Sequence, residues 1–233
     1  MRTLGVIGGL GPETTSEFYL AVVAQCQRLA RAHRPDILFH NVPITYGIEE
    51  DALLHGNNVE AFLPYLQRSA QLLEKAGAEF LVMPCNTLHR FARSIQESVS
   101  IPFISLVDVV IEFIKTNQLD NIGLIATSIT LESGFYQQAC AANRISYALP
   151  SAFHQAKLAK MILGLVSNSY ANHHRNDLID VIDDFDKQGI KNVLLACTDL
   201  QALIPHHPRI KIVDTMQLLA DRSVKEICTV VVC

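Results

Sequence analysis

Two short apolar segments of this chain each end at a cysteine, and together they constrain the fold more than any other feature. Residues 81–87 read LVMPCNT and residues 193–199 read VLLACTD. Each apolar run is too short for a helix and is followed by small polar residues. That pattern is typical of a buried parallel strand with a thiol at its carboxyl end. Because ligands bind at that end of open α/β sheets, Cys85 and Cys197 are the first candidates for a functional site.

The rest of the chain alternates between strand-like and helix-like stretches, and the second half repeats the order of the first. Ile7 precedes Cys85 by nearly as many residues as Ile125 precedes Cys197, which indicates a duplication. Strand–helix alternation predicts parallel sheets with right-handed crossovers. We therefore expect the α/β class, with two pseudo-symmetric Rossmann-like lobes. Each lobe has a mainly parallel sheet flanked by helices, and the active site lies in the cleft between the lobes.

The predicted elements also set the domain boundaries. We expect residues 1–105 together with 210–233 to form the first lobe, which carries the first cysteine. Residues 106–209 then form the second lobe, with the second cysteine. The final helix is expected to cross back to the first lobe.

Three local patterns predict particular elements. The run from Pro102 to Leu106 predicts a strand, and the pattern from Leu131 to Ala142 predicts a single helix. The polar stretch from Pro43 to Asn58, which contains two glycines, predicts an irregular loop long enough to be functional.

Composition and charge argue against several classes of protein. A net charge of −4 over 233 residues provides no basic surface, so we expect no nucleic-acid partner. No apolar run approaches the roughly 20 residues of a membrane span, so we expect no membrane partner. The first apolar residues run into Gly-Gly-Leu-Gly-Pro, which is unlike a signal peptide. We therefore expect a cytoplasmic protein.

The six cysteines are expected to be reduced, because no CxxC pair occurs and the chain is larger than a typical disulfide-rich domain. Cys26, Cys140 and Cys228 lie in helix-like stretches, where a free cysteine is most often a small core residue. Cys85 or Cys197, taken alone, could equally be a small core residue. Their matched positions at two strand ends favour a catalytic pair.

Two thiols that face one carbon acid can invert its stereocentre. A thiolate removes the proton from one face while the opposite thiol donates a proton to the other, and no cofactor is required. Both cysteines precede predicted helix starts, where backbone N–H groups stabilise a thiolate or bind a substrate carboxylate. Such donors also stabilise the enediolate that forms when the α-proton leaves.

Other candidate residues have simpler interpretations. The glycines at positions 8, 9 and 11 predict a tight turn with or without substrate contact, and they do not complete the G-x-G-x-x-G pattern of nicotinamide sites. His89 lies four residues after Cys85 and either tunes that thiol or serves in helix packing or capping. Thr127 at a strand end is typical of a helix cap. No His or Cys/His spacing predicts a metal site.

The chain resembles the aspartate/glutamate racemase superfamily, specifically its cofactor-independent, two-cysteine amino-acid racemases. The matching segments occur in order: residues 5–12 (GVIGGLGP) with Thr14 and Thr15, residues 84–89 (PCNTLH), residues 126–136, and residues 197–199 (CTD).

This resemblance implies two Rossmann-like lobes around a central cleft, a homodimer, and Cys85 and Cys197 as the acid/base pair. It implies a small amino-acid or carboxylate substrate and no cofactor. The residues expected to contact the substrate are Leu10, Gly11, Thr45, Asn86, Thr87, Thr127, Thr198 and Asp199.

Three departures from the family pattern bear on the substrate. Residues 43–50 contain no Arg to bind a side-chain carboxylate, and residues 164–167 contain no Lys where relatives often carry one. Only Lys157 and Lys160 are basic candidates nearby. The usual Gly-Cys-Thr-Glu is here Ala-Cys-Thr-Asp, and the shorter Asp199 is expected to orient the thiol or bind an amino group.

The expected activity is therefore amino-acid racemisation, with aspartate or glutamate as the first candidate substrates and Cys85 and Cys197 alternating as base and acid. Two alternatives remain. One is another reaction on the same fold, cis–trans isomerisation or decarboxylation of a small diacid. The other is a catalytically degenerate protein that binds a carboxylate metabolite.

Overall fold

The computed structural model describes residues 1–29, 33–166 and 174–229, without the side chains of residues 50, 53–55, 166, 174 and 202. The chain divides into two units. The first is Met1–Val109 with Met216–Cys233, and the second is Val110–Thr215. Each has its own parallel sheet flanked by helices, as the sequence predicted.

The sheet of the first unit contains β1 (Leu4–Gly8), β2 (Ile37–Asn41) and β3 (Phe80–Val82). Their order is β2-β1-β3, and both pairings are parallel. All five residues of β1 are buried because it is the central strand, covered on both faces. The predicted strand at 102–106 was wrong: only one parallel bridge forms, between Leu81 and Phe103.

Pairing at this edge is limited to the backbone of Leu81. Its N–H donates to the carbonyl of Pro102 at 2.8 Å, and its carbonyl accepts the N–H of Ile104 at 2.8 Å. A helix then begins at Leu106, which ends the extended run.

Helices cover the first sheet and fill most of the chain between its strands. Helix α1 begins at Pro12, which is well suited to a first turn, and buries Phe18 and Val22 on one face. The helical segments of this unit are α1 (Pro12–Leu29), α2 (Tyr46–His55), a 3₁₀ helix (Val59–Phe62), α3 (Leu63–Lys75), a 3₁₀ helix (Thr87–Phe91), α4 (Ala92–Gln96) and α10 (Thr215–Cys228), the last beginning at the unit boundary.

Helix α2 corrects the prediction of an irregular loop from Pro43 to Asn58. The glycines suggested a loop, but Gly47 is tolerated inside the helix and Gly56 ends it in the left-handed conformation, with φ 65°. Ala52, at 3% exposure, packs this helix against the unit.

The second unit contains a four-stranded parallel sheet in the order β5-β4-β6-β7. Its strands are β4 (Asn121–Ala126), β5 (Ser146–Ala148), β6 (Asn192–Ala196) and β7 (Lys211–Asp214). Its helical segments are α5 (Leu106–Thr116, which starts in the first unit), α6 (Ser128–Ser133), α7 (Phe135–Ala142), α8 (Ala152–Val166), α9 (His174–Lys187) and a 3₁₀ helix (Thr198–Leu203).

The two sheets share an order, which supports the predicted duplication. In each, the first strand along the chain is central, the second lies on one side, and the third lies on the other. Phe103, at its single bridge, takes the place that β7 takes in the second sheet.

One further correction lies in the second unit. The predicted helix from Leu131 to Ala142 is two helices, because Gly134 adopts φ 70° as the C-cap of α6 and the N-cap of α7.

Candidate active site

The predicted site residues of the first unit lie along one edge of its sheet. Leu10 and Gly11 follow β1, Thr45 follows β2, and Cys85 follows β3 together with Asn86 and Thr87. Since these three neighbouring strands are parallel, their carboxyl ends meet at the same edge. The structure thus brings together at this edge the six residues predicted in this unit.

The turn after β1 is built around Gly9 and Thr15. Gly9 has φ 83°, and a side chain there would collide with Asn41. Its N–H donates to Thr15 Oγ1 at 3.0 Å, and that hydroxyl donates to the carbonyl of Gly11 at 2.9 Å. Thr15 therefore fixes the main chain on either side of Leu10, which is 8% exposed. Thr15 belongs to the sequence motif, but the motif alone predicted no role for it in the site.

Cys85 is partly exposed and lies in the turn that follows β3, three residues after Val82. Its N–H donates to the carbonyl of Met83 at 2.8 Å, and the 3₁₀ helix that follows begins at Thr87. Asn86 is 1% exposed, and its carbonyl accepts the N–H of His89 at 3.0 Å.

His89 adds a contact to this turn that the sequence did not specify. Its ring is buried, and Nδ1 lies 2.6 Å from the carbonyl oxygen of Cys85. Burial lowers the pKa of His89 to about 4, a shift that the hydrogen bond to Cys85 opposes only in part. The ring is therefore neutral near pH 7. Because a carbonyl oxygen can only accept, Nδ1 carries the hydrogen and donates it.

Thr45 is exposed and stands directly before α2. Its carbonyl accepts the N–H groups of Ile48 at 3.0 Å and Glu49 at 3.2 Å, whereas its hydroxyl makes no capping bond to the helix. The backbone of Thr45 thus starts the helix.

In the second unit, the predicted residues follow β4 and β6, which are adjacent and parallel. Thr127 follows β4 at 8% exposure, and its hydroxyl accepts the N–H of Thr130 at 3.1 Å. It also lies 2.8 Å from the hydroxyl of Thr130. Thr127 is therefore the helix cap that its position predicted, at the carboxyl edge of the sheet.

Cys197 follows β6 and is 4% exposed, as is Thr198. The thiol of Cys197 donates to Oδ2 of Asp199 at a sulfur–oxygen distance of 3.7 Å. The thiol-orienting contact expected of Asp199 is thus present. A carboxylate in this position favours the neutral thiol, because a thiolate would place two negative charges side by side.

The basic candidate Lys157 is engaged with α9. Its Nζ lies 3.3 Å from Asp177 and 3.5 Å from Asp180, and it stands over the ring of Phe153 at 5.2 Å. The positive charge of Lys157 is therefore already paired with two carboxylates of α9, with no substrate bound.

Two properties of the described residues bear on other classes of site. Within residues 1–29, 33–166 and 174–229, no group of three or more His, Cys, Asp or Glu side chains is arranged to hold a metal ion. In the same ranges, no helix combines the length and the apolar character needed to cross a membrane.

Comparison with known proteins defines the class to which this fold and these strand ends belong. Residues 7–222 match the family described as Asp/Glu/Hydantoin racemase. The chain belongs to that family, as its motifs predicted.

Individual relatives extend over nearly the whole chain. The broad specificity amino-acid racemase RacX of Bacillus subtilis is 26% identical over 226 residues, covering 95% of this chain and 96% of that protein. The aspartate racemase of Picrophilus torridus has a TM-score of 0.82 at 23% identity, covering 97% of this chain and 94% of that one. An aspartate racemase homologue from Pyrococcus horikoshii has a TM-score of 0.80 at 21% identity, and the match covers 98% of this chain and 100% of that one. These two structures share its fold.

Proposed function

We propose that this protein is a cofactor-independent amino-acid racemase in which Cys85 and Cys197 transfer the α-proton. The observation that carries the proposal is the repeated strand end. In each unit a buried parallel strand leads to a cysteine, and a 3₁₀ helix starts within two residues of it. Membership of the Asp/Glu/Hydantoin racemase family supports the reaction class.

The proposed reaction needs one thiolate and one thiol at the start of each turnover. The thiolate takes the hydrogen on the α-carbon and becomes a thiol, and the bond's electron pair stays on the substrate as an enediolate. The second thiol then gives its proton to the opposite face and becomes a thiolate. The product is the other enantiomer, and proton exchange with water restores the starting state.

The neighbouring polar residues have proposed roles in holding the substrate. Asn86, Thr87, Thr127 and Thr198 supply hydrogen-bond donors for the α-carboxylate, where negative charge grows in the transition state. Asp199 holds the hydrogen on Cys197 and is the acceptor proposed for the ammonium group. Leu10, Gly11 and Thr45 complete the set at the ends of β1 and β2.

We propose amino acids as the substrate class, with aspartate and glutamate tested first. The segment from Pro43 to Glu50 contains no Arg, so it provides no guanidinium for a side-chain carboxylate. A broad-specificity relative that covers almost the full length supports testing a wider panel as well.

The test is proton NMR of the reduced protein in heavy water with each enantiomer of aspartate and glutamate, then other amino acids. Loss of the α-proton signal together with appearance of the opposite enantiomer is expected. Cys85→Ala and Cys197→Ala should each abolish the exchange, whereas Cys228→Ser, a thiol outside the proposed site, should keep it. Full activity in either alanine variant would refute the two-thiol mechanism.

The alternatives give different results in the same experiment. Release of carbon dioxide or fumarate from a diacid, without α-proton exchange, would identify a decarboxylase or an isomerase. Tight binding of a carboxylate with no chemical change would identify a degenerate binding protein.

A further inference from the structure

The environment of His89 is poorly explained by packing alone. The residue is 4% exposed, and its Nε2 is buried with no hydrogen-bond partner among the described residues. An unpaired buried acceptor costs about 1–3 kcal/mol. A phenylalanine would fill the same space beside Phe103, whose ring centroid is 5.6 Å away, without that cost. What the imidazole supplies and a phenyl ring lacks is the Nδ1–H bond to Cys85.

His89 fixes the turn after β3 by two separate bonds. Its own N–H donates to the carbonyl of Asn86 at 3.0 Å, and its ring donates to the carbonyl of Cys85 at 2.6 Å. The peptide group between Cys85 and Asn86 is planar, so fixing the direction of its carbonyl also fixes that of the Asn86 N–H. The backbone that follows Cys85 is thereby held at two successive carbonyls, those of Cys85 and Asn86.

We propose that His89 is a positioning residue for proton transfer: its Nδ1–H bond to the Cys85 carbonyl sets the direction from which Sγ approaches the α-carbon. This inference rests on the proposed function, in which Cys85 is one of the two thiols. A displacement of about 1 Å at a reacting group can cost roughly a hundredfold in rate. Loss of the bond should therefore lower kcat by about 10- to 100-fold and leave KM within about threefold.

Three substitutions separate this bond from the bulk of the ring. In His89→Asn the amide nitrogen can take the place of Nδ1, so the donor is kept. In His89→Gln the amide reaches toward the place of Nε2, and in His89→Phe no donor is present. We expect the asparagine variant to retain kcat within about fivefold, and the glutamine and phenylalanine variants to show the full loss.

His207 offers a matched control in the second unit. Its side chain is 4% exposed, with Nε2 3.0 Å from Asp183 and Nδ1 accepting the N–H of Ile210 at 3.0 Å. His207→Phe should lower the melting temperature without changing kcat of the folded protein. Circular dichroism and melting curves establish the folded fraction of every variant.

Two readouts do not depend on racemase activity. In ¹⁵N-histidine NMR, with His89→Phe used for assignment, His89 should remain the neutral Nδ1–H tautomer from pH 8 down to about pH 5, as its low pKa requires. In iodoacetamide alkylation resolved by peptide mass spectrometry, Cys85 should react at the wild-type rate in His89→Asn. Its rate should differ by more than about threefold in the other two variants, because the thiol is displaced.

The outcomes distinguish the two proposals. An Nε2–H tautomer, or equal Cys85 alkylation in all four proteins, overturns the role of His89 whatever the protein catalyses. Unchanged kcat in His89→Gln and His89→Phe, with Cys85→Ala inactive, also overturns it and leaves the racemase standing. Absence of α-proton exchange in the wild type, with the expected tautomer and alkylation pattern, refutes the racemase alone and supports the positioning of Cys85 by His89.

Discussion

Asp199 should control how readily Cys197 loses its proton. The thiol donates to Oδ2 at 3.7 Å, so a thiolate there would lie beside a carboxylate. Two unit charges at that separation repel by about 4.5 kcal/mol at an effective dielectric constant of about 20. Asp199 is partly exposed, so screening by water raises the effective dielectric constant; at about 65 the repulsion is about 1.4 kcal/mol, which corresponds to about a tenfold change in thiolate population.

The perturbation is Asp199→Asn, which removes the charge but keeps an acceptor oxygen in reach of the thiol. The assay is a short pulse of iodoacetamide near pH 7, followed by peptide mass spectrometry to follow each cysteine separately. Because the thiolate is the reactive species, alkylation of Cys197 should accelerate about tenfold. The rate at Cys85 should stay the same.

Asp180→Asn is the charge-matched control. Asp180 lies in the same unit, its side chain is 59% exposed, and it pairs with Lys157 at 3.5 Å. It should leave Cys197 alkylation unchanged. Equal or slower alkylation of Cys197 in Asp199→Asn would contradict the reasoning, and so would an acceleration of the same size in the control.

Three further predictions concern the first unit's core and the second unit's charged surface. Cys26 should resist alkylation in the folded protein near pH 8 and react on unfolding in urea, because burial, with a smaller contribution from the nearby thiol of residue 228, raises its pKa to about 11; rapid native labelling would contradict this. Gly5→Ala should lower the free energy of unfolding by about 1–3 kcal/mol in urea denaturation, since the new methyl group would lie 2.6 Å from Leu81 Cδ2, and equal stability would refute the expected overpacking. A hydrogen bond from Arg209 lowers the pKa of Asp186, so the carboxylate stabilises the fold above about pH 4 and loses that effect as pH falls through its lower folded pKa. Asp186→Asn should lower the melting temperature at pH 7, and its difference from the wild type should shrink as pH falls below about 4; equal melting at pH 7 would contradict this.

The buried strands were predictable because their signal is local. Strands β4 and β6 are short, nearly continuous apolar runs, which is what a parallel strand covered on both faces requires. Elements decided by their neighbours in the fold were not predictable. The residues at 102–106 have strand composition, but their pairing stops at Leu81, because the helix that begins at Leu106 ends the extended run. In α2, tertiary burial of Ala52 outweighs the loop signal of Gly47.

The candidate site was predictable to the level of the strand ends. Parallel pairing alone brings Cys85 to the edge where β1 and β2 also end, so the sequence order of the motifs suffices. The hydrogen bond from the His89 ring to the Cys85 carbonyl depends on the 3₁₀ form of the turn, which spacing alone does not specify. Thr15 was also missed, although a threonine that follows a glycine-rich turn early in a helix is a usable signal.

The two cysteine turns differ in ways that matter for a two-base reaction. In the turn at Cys85, the neighbouring polar groups are neutral: the amide of Asn86 and the imidazole of His89, which burial keeps uncharged. The second places a carboxylate against the thiol. A racemase of this kind needs one thiol and one thiolate before each turnover. Identical turns would leave that choice to the substrate alone, whereas a carboxylate at Asp199 favours the protonated state of Cys197. In the proposed mechanism, the resting protein would therefore carry its proton on Cys197. Faster alkylation of Cys197 in Asp199→Asn, with the rate at Cys85 unchanged, would show that the carboxylate holds it there.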